Sequence, residues 1–307
     1  MALQSSGQIS LNDLHVEAGG SSGTECTLND SDIRDLIDKS SGAQSAINEF
    51  YGASSVTVPV WNSSTKTFDL GTPDVIHTKT GNFTLAYNGA CAIIAIGGGG
   101  GGGSEDDRNA QCTGGGGGGV AIKGLIGTTS MSFSASRGSG GGIADDWQNP
   151  YWNGHGASGG STTVSGNGIS LTANGGERGT TQGISGFGTA SGGSASGGDA
   201  NYTGGDAPDP SGTGGYKVTG GGGAGGGNGA TGDPWNPSSG GSSPLRTGWL
   251  ASYIGNGGGG CSSSYHRGGS GGSYGGGGGG GISNNDGTTW GNGGRGADGI
   301  ILVCYWT

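Results

Sequence analysis

The chain has 307 residues, of which 83 are glycine and only 29% are hydrophobic, and its formal net charge is −10. This acidic balance argues against a nucleic-acid-binding protein, and the 8 prolines without a strict Gly-X-Y period exclude a collagen helix. No apolar stretch approaches the ~20 residues of a membrane span, so we expect no membrane insertion. The N-terminal MALQSSGQIS has no basic and apolar signal pattern, so we also expect no secretory signal.

Three short helices are predicted in residues 1–53. Ser10 is a suitable N-cap for the first helix, which the pair Gly19-Gly20 ends. Asn29 and Asp30 precede the second helix, and the third falls at residues 45–51. A module of this size buries little apolar surface, so we expect it to dock onto a larger partner. The apolar residues that we predict to serve this docking are Leu11, Leu14, Ile33, Leu36, Ile37, Phe50 and Tyr51.

The pattern changes to β-strand type at Ser54. Val56, Val58 and Val60 alternate with other residues, and Pro59 restricts that strand to an edge. Residues 54–80 are therefore interpreted as a β-strand connector. Further strands are predicted where apolar residues alternate, around Phe83–Tyr87, Met131–Ala135, Ile169–Ala173 and Ile300–Cys304, and a strand buried on both faces is predicted at Cys91–Ile96.

Residues 92–120 organise the rest of the chain, because an apolar strand runs there directly into polyglycine, leaves for a polar loop and returns. Glycine loses much backbone freedom on folding, so an ordered run must form other interactions in return. Left-handed helices with three residues per turn point their N–H and C=O groups outward, and without side chains they can pack on all sides. We therefore predict a lattice of polyglycine II helices with the non-glycine segments as loops at its ends. The glycine-rich zones are 97–103, 114–119, 220–227 with Ala224 inside, 257–260 and 275–281.

The predicted fold class is mainly β and irregular. A small N-terminal helical module (1–53) and a β-strand connector (54–80) precede a glycine-rich distal domain (81–307) framed by strands. The glycine zones have no fixed repeat period, which argues against a solenoid.

Aromatic residues of the glycine-rich region lie in the loops between glycine runs. Such residues supply contact area at low entropic cost and stack on sugar rings, so they are candidates for receptor binding. The alternative is that they cap the ends of a lattice that has no side chains of its own. The segment 147–155 is our first choice for a receptor contact. The receptor-binding candidates are Trp147, Tyr151, Trp152, His155, Trp235, Trp249, Tyr265, His266 and Trp290.

We predict no cofactor, no metal and no catalytic activity. The acidic groups at 105–107, 145–146 and Asp206/Asp209 lack the spacing of known calcium loops. Matches to GxGxxG arise by chance in so glycine-rich a chain, and no helix is predicted after any of them. The five cysteines are odd in number and widely spaced, which favours reduced thiols over a disulfide framework or a zinc site.

The segments GQISLNDLHVEAGG, LNDSDIRDLI and SAINEFYGAS resemble the N-terminal module of phage tail-fibre and minor tail proteins, in which "ISL-x-D" and "EFYG" recur. The order NFTLAYNGACAIIAIGGGGGGG, GGGGGGVAIKGLIG and GGRGADGIILVCYW resembles the glycine-rich domain at the C-terminal ends of phage tail fibres. The glycine runs alone are also similar to polyglycine-sandwich adhesins of T-even-like phages, although the middle of this chain is longer and more irregular.

These resemblances imply a bacteriophage virion tail protein, synthesised in the host cytoplasm, that attaches to other tail proteins through its N-terminus. They further imply a tail-fibre or tail-tip adhesin that binds a host-surface glycan or outer-membrane protein, with a homotrimer as the favoured assembly. Two alternatives stay open, a purely structural tail component and a depolymerase of host polysaccharide.

Overall fold

The structure is a computed structural model, and it divides the chain into two compact units, Met1–Thr57 and Val58–Thr307. The residues that it describes are 3, 7–37, 39, 43–50, 57–105, 111–143, 154–181, 188–210, 217–232, 238–261, 267–282 and 291–306. Its mainly β and irregular architecture confirms the predicted fold class.

The first unit contains the three predicted helices in short form. Helix α1 is Leu11–Glu17, helix α2 is Ser31–Asp35, and a 3₁₀ helix covers Ile47–Phe50. The N-terminus of α1 is a capping box, since Ser10 Oγ accepts from the Asp13 backbone N–H while the Asp13 carboxylate accepts from the Ser10 N–H. Gly19 follows α1 with φ +92°, a left-handed conformation that ends the helix there.

Residues from Val58 onward, which include most of the predicted β-strand connector, belong to the second compact unit. The strand expected from Val56 to Val60 is wrong where residues 57–60 are described. Val58 and Val60 are 44% and 60% exposed, so this stretch has no apolar face to bury, and Pro59 lacks the N–H that a sheet ladder needs.

The second unit contains seventeen strands and one short helix within the described residues. The helix is a 3₁₀ turn at Gly248–Ser252. The strands are β1 Trp61–Asn62, β2 Thr67–Phe68, β3 Val75–Lys79, β4 Phe83–Thr84, β5 Gly89–Ile96, β6 Ser104–Glu105, β7 Gln111–Cys112, β8 Val120–Gly127, β9 Ser132–Ser136, β10 Thr162–Gly166, β11 Ile169–Ala173, β12 Ala195–Ser196, β13 Ala200–Tyr202, β14 Lys217–Thr219, β15 Thr231–Gly232, β16 Gly281–Ile282 and β17 Ile300–Trp306.

A five-stranded antiparallel sheet in the order β13-β8-β5-β17-β3 forms the centre of this unit. Strand β5 is covered on both faces, as its continuous apolar sequence predicts. Its odd-numbered residues, such as Ile93, point to one apolar cluster and its even-numbered residues, such as Ile94, to another.

A second five-stranded sheet, in the order β12-β11-β10-β9-β4, packs on the odd-numbered side. Phe133, Val164 and Leu171 of this sheet are at most 2% exposed and face Ile93 and Val303 of the central sheet within one cluster. The two sheets therefore form a β-sandwich, and the alternation predicted for these strands is confirmed.

The other face of the central sheet is covered by chain from the glycine-rich region. Leu245, Leu250 and Ile254 are at most 1% exposed and pack with Ile94 and Leu302. The burial of these side chains between sheet and glycine segments attaches the sandwich to the rest of the unit.

The glycine runs continue the strands without a break in register. Ile96 of β5 pairs with Val120 of β8, and one residue further the Gly97 N–H donates to Gly119 O. Ile300 of β17 pairs with the same Ile96, and Gly99 N–H donates to Ala297 O. The sheet register therefore sets the register of the polyglycine.

The hydrogen bonds of the first glycine run repeat every three residues. Gly97, Gly100 and Gly103 donate to the segment 113–119, whereas Gly98 and Gly101 donate to residues 160 and 157. A three-residue period is the one that a helix of the polyproline II type produces, and we infer that geometry for these segments.

Four such segments each exchange hydrogen bonds with six neighbouring segments, which is hexagonal packing. We call them the inner segments: 97–104, 113–119, 219–225 and 275–281. Ten further segments surround these four, and bonded neighbours close them into a ring. In ring order, these outer segments are 174–181, 154–160, 138–142, 291–299, 267–273, 254–261, 238–243, 227–230, 203–207 and 190–194.

Steric contact explains why the inner segments are glycine. A Cβ atom on Gly100 would lie 1.9 Å from Glu177 O, one on Gly117 2.2 Å from Gly223 O, and one on Gly278 2.0 Å from Gly294 O. These neighbours are backbone atoms held by their own hydrogen bonds, so they cannot rotate away. The inner segments consequently contain other residues only near their ends, as at Ser104, Thr113, Thr219 and Ala224.

The outer segments have neighbours on some sides only, and there a polar residue recurs at every third position. The segment 267–273 has Arg267, Ser270 and Ser273, all exposed, separated by glycine pairs. The same three-residue spacing occurs at Asn292, Arg295 and Asp298, at Ser191 and Ser194, at Thr203 and Asp206, and at Ser239 and Ser242. Side chains therefore occupy the positions that face away from the hexagonal lattice.

Candidate functional site

The candidate site is the end of the inner and outer segments opposite the β-sandwich, which we call the distal end. Seven connections between segments lie outside the described residues, and the residues flanking them meet at this end. Ile282 pairs with Glu105, Lys217 pairs with Gln111, and Gly154 forms a bridge with Ser104. The connections are 106–110, 144–153, 182–187, 211–216, 233–237, 262–266 and 283–290.

Buried threonines fix the distal ends of the segments. The Thr180 N–H donates to Thr113 Oγ1 at 2.7 Å, and the Gly114 N–H donates to Thr219 Oγ1 at 2.9 Å. Thr113 and Thr219 are fully buried and Thr180 is 8% exposed. The hydroxyl groups of Thr113 and Thr219 thus accept from buried backbone N–H groups, which satisfies these donors as buried polar groups require.

A small distal apolar cluster lies beside these threonines. It consists of Cys112, Val218, Cys261 and Ile282, each at most 4% exposed. Its members come from β7, β14, an outer segment and β16, so it joins four chain segments where the connections begin. Burial raises the pKa of Cys261 to about 11, which keeps that thiol neutral and apolar at ordinary pH.

Most predicted receptor-binding residues belong to these connections. Trp147, Tyr151, Trp152, Trp235, Tyr265, His266 and Trp290 lie outside the described residues, so their predicted role stays a prediction.

His155 is the predicted receptor residue that the structure places at the distal end. It stands at the second position of an outer segment, directly after Gly154, and is half-buried. Its Nδ1 is buried and has no hydrogen-bond partner among the described residues. Desolvation by burial, followed by the positive charge of Arg178, lowers the pKa of His155, so the ring is neutral at physiological pH.

Trp249 lies elsewhere. It belongs to the 3₁₀ turn Gly248–Ser252 and packs against the apolar cluster on the central sheet, where its ring lies 6.4 Å from that of Tyr253. Trp249 therefore packs on the side of the unit where the glycine segments meet the central sheet, and its predicted receptor role stays a prediction.

The predicted docking residues of the first unit divide into two groups. Leu14, Ile33 and Phe50 are fully buried and form the core of that unit, with Leu36 and Ile37 packed against them, so a partner cannot reach the first three without opening the unit. Leu11 is 40% exposed. Tyr51 lies outside the described residues.

Two exposed apolar residues of the first unit were absent from that prediction, Val16 at 46% and Ile47 at 41% exposure. Spacing within the helices could have indicated them: in α1, Val16 lies two residues from the buried Leu14 and therefore on a different face. With Leu11, they are the exposed large apolar side chains among the described residues of this unit.

The described residues contain no group of three or more His, Cys, Asp or Glu side chains that could hold a metal ion. No helix among them has the length and apolar character needed to cross a membrane. None of the five cysteines, all of which are described, forms a disulfide.

The polar triplets of the outer segments were missed in the sequence because we sought one period for the whole chain. Short runs such as RGGSGGS at 267–273 and NGGRGAD at 292–298 contain the signal. A search for a polar residue at every third position would have separated the outer segments from the inner ones.

These features define a class of protein in which the strands of a β-sandwich continue into a hexagonally packed glycine-rich domain. The model of the glycine-rich domain family matches residues 77–306, from β3 to the last residue of β17, and the chain belongs to that family. No curated protein sequence matches the chain. The predicted glycine-rich C-terminal domain is thereby confirmed.

Proposed function

We propose that this protein is a bacteriophage tail-fibre or tail-tip adhesin that contacts the host surface with the connections at its distal end. The observation that carries the proposal is the gathering of seven connections at one end of a rigid support. Seven of the nine predicted receptor residues, among them Trp147 and Trp235, belong to these connections, and the resemblance to phage tail fibres supports the assignment.

The support is suited to binding because its segments are fixed by many backbone hydrogen bonds. A binding loop that is anchored at both ends loses less conformational freedom when it meets its receptor. The buried threonines and the distal apolar cluster hold the anchor points of several connections together. Recognition is then a binding event without catalysis, directed at a glycan or an outer-membrane protein of the host.

The first unit is proposed to attach the chain to other tail proteins. Its exposed apolar residues Leu11, Val16 and Ile47 are suited to a protein contact, while Leu14, Ile33 and Phe50 maintain its own core. In this proposal the chain is part of the virion, is made in the host cytoplasm and assembles as a homo-oligomer, with a trimer favoured by resemblance.

The test compares virions that carry the wild-type chain with virions that carry Trp147→Ala, Tyr151→Ala and Trp152→Ala together. We expect the adsorption rate to fall at least tenfold while particle number and tail morphology stay unchanged. Ser270→Ala with Ser273→Ala, on an outer segment, is the matched control and should adsorb normally.

Virions that lack the chain distinguish the alternative function. Normal tails that adsorb poorly support the adhesin, whereas failure of tail assembly would indicate the purely structural component. Unchanged adsorption of the triple variant would show that the segment 147–155 does not contact the receptor.

A further inference from the structure

The outer face of the second sheet of the sandwich is composed of hydroxyl-bearing side chains. Its inward residues, such as Phe133 and Leu171, belong to the apolar cluster between the sheets. Every outward position of its five strands is Ser or Thr, and each is exposed or half-exposed. These positions are Thr84, Ser132, Ser134, Ser136, Thr163, Ser165, Ser170, Thr172 and Ser196.

Strand register arranges these hydroxyl groups in rows. Ser134 lies opposite Ser165, which lies opposite Ser170 on the next strand. Rows repeat at about 4.8 Å across the strands and about 7 Å along them, as in any sheet. The Oγ atoms of Thr84 and Ser132 are hydrogen-bonded at 2.8 Å, which fixes part of the array.

No outward position on these strands is charged, although the chain has a net charge of −10. A hydroxyl group both donates and accepts hydrogen bonds, so this face can match a surface of the same kind. An anionic polymer would need Lys or Arg side chains to bind, and this face has none. A second copy of this chain would need apolar area or opposite charges, which are also missing from the face.

An open groove of about 460 Å³ lies at the edge of this face, along β4 and β9. Asn82, Thr84, Ser132 and Ser134 line it with polar groups. Phe83 and Phe133 also belong to the strands that form the groove, but their rings lie in the apolar cluster between the sheets and are only 7% and 2% exposed, so polar groups form the accessible surface. Asn82 Oδ1 accepts from the Ala135 N–H at 2.8 Å, which leaves the amide NH₂ group as a donor for a ligand.

We propose that this groove and the hydroxyl face bind a neutral polysaccharide chain. A sugar in the groove meets the Asn82 amide and hydroxyl groups that both donate and accept hydrogen bonds, and further sugars extend over the rows of hydroxyl groups. The proposal rests on the proposed function only in placing this polysaccharide on the host surface, and it assigns a second contact on the sandwich, separate from the distal end.

The test is native affinity electrophoresis, in which the acidic chain migrates through gels that contain mannan, dextran or a β-glucan. We expect retardation by at least one of these polymers. Ser134→Val with Ser165→Val removes two facing hydroxyl groups without changing charge, and should weaken the apparent affinity at least tenfold. Ser239→Val with Ser242→Val, two exposed residues of an outer glycine segment, is the matched control and should be retarded like the wild type.

Asn82→Ala provides an independent variant at the groove should the double substitution fail to fold, and circular dichroism verifies the fold of each protein. If none of the three neutral polymers changes the mobility of the protein, the proposal is overturned. The same holds if only the anionic polymer polygalacturonate retards it, or if the wild type, the Ser134→Val with Ser165→Val protein and Asn82→Ala are retarded equally. Concentration-dependent self-association that the face variant abolishes would assign the face to a second copy instead.

Failure here is distinguishable from failure of the adhesin proposal. The distal connections are intact in the Ser134→Val and Ser165→Val protein, so virion adsorption through them is scored separately. Conversely, the Trp147→Ala, Tyr151→Ala and Trp152→Ala protein retains the hydroxyl face and should be retarded normally in the gel.

Discussion

The inner and outer glycine segments share one backbone hydrogen-bonding pattern and differ in how many neighbours surround them. An inner segment such as 97–104 has six bonded neighbours and is almost pure glycine, whereas the outer segment 267–273 has three and contains Arg267, Ser270 and Ser273. The number of neighbours therefore determines which positions can have a side chain. The long polyglycine runs mark the centre of the lattice, and the interrupted runs mark its rim.

The same comparison explains the position of Ala224, which is fully buried inside an inner segment. It lies where that segment reaches the sandwich, and its methyl group packs with Leu245, Leu250 and Ile254. Ala224 thus has side-chain neighbours at the one place where the lattice ends and the apolar cluster begins.

The largest expected difference in the free energy of unfolding is between alanine substitutions at a glycine enclosed by backbone atoms and at a glycine with free space around it. In Gly100→Ala the new Cβ would lie 1.9 Å from Glu177 O, so the free energy of unfolding should fall by about 3 kcal/mol or more. Gly142→Ala is the control, because no heavy atom lies within 4 Å of its Cβ position, and its stability should rise by about 0.5 kcal/mol. Urea denaturation measures both; equal stabilities would refute the steric account of the inner segments.

An intermediate difference in the free energy of unfolding is expected between alanine substitutions at two adjacent residues of one outer segment. The Cβ of Gly271→Ala would lie 2.0 Å from Gly276 O of an inner segment, which should cost about 1–3 kcal/mol. Ser270→Ala, on the exposed side, should change the free energy of unfolding by at most about 0.5 kcal/mol. Thermal denaturation of both proteins measures this difference. A lower melting temperature for Ser270→Ala than for Gly271→Ala would show that the polar triplets do not face outward.

The smallest effect concerns pH at the distal end. Because burial lowers the pKa of His155 below its ordinary 6.5, protons bind the unfolded chain more strongly. Stability should therefore decline as pH falls below about 6.5 and should level off once the folded ring is also protonated. His155→Gln removes this contribution.

Comparison of wild type with His155→Gln is necessary for that measurement, since Asp13, Asp30 and Glu49 in the first unit also have lowered pKa values from hydrogen bonds. The stability that these carboxylates contribute to the folded protein is lost at low pH in the wild type and in His155→Gln alike. If the melting temperatures of the two proteins fall in parallel between pH 7.5 and pH 5, His155 has no such role.

Local patterns predicted the secondary structure well where one residue type dictates the geometry. Patterns only a few residues long were sufficient to predict three features: the Ser10 cap, the strand buried on both faces at Cys91–Ile96, and the alternation around Phe133 and Leu171. The strand expected from Val56 to Val60 is absent at the described residues 57–60 because Val58 and Val60 alternate without a surface to cover, which the strand pattern alone cannot reveal. The position of Trp249 was not predictable for a related reason: its turn lies next to an apolar cluster built from distant residues.

Composition and local pattern require the glycines to pack through their backbones, because runs without Cβ atoms offer nothing else to bury, and they predict strands at both ends of the glycine-rich region. Which runs are central, which are peripheral, and that the residues flanking the connections meet at one end is visible only in the folded chain. The reason is that the six neighbours of an inner segment come from all parts of the second unit, from residues 97 to 299. Their arrangement depends on the path of the whole chain, which no local spacing specifies.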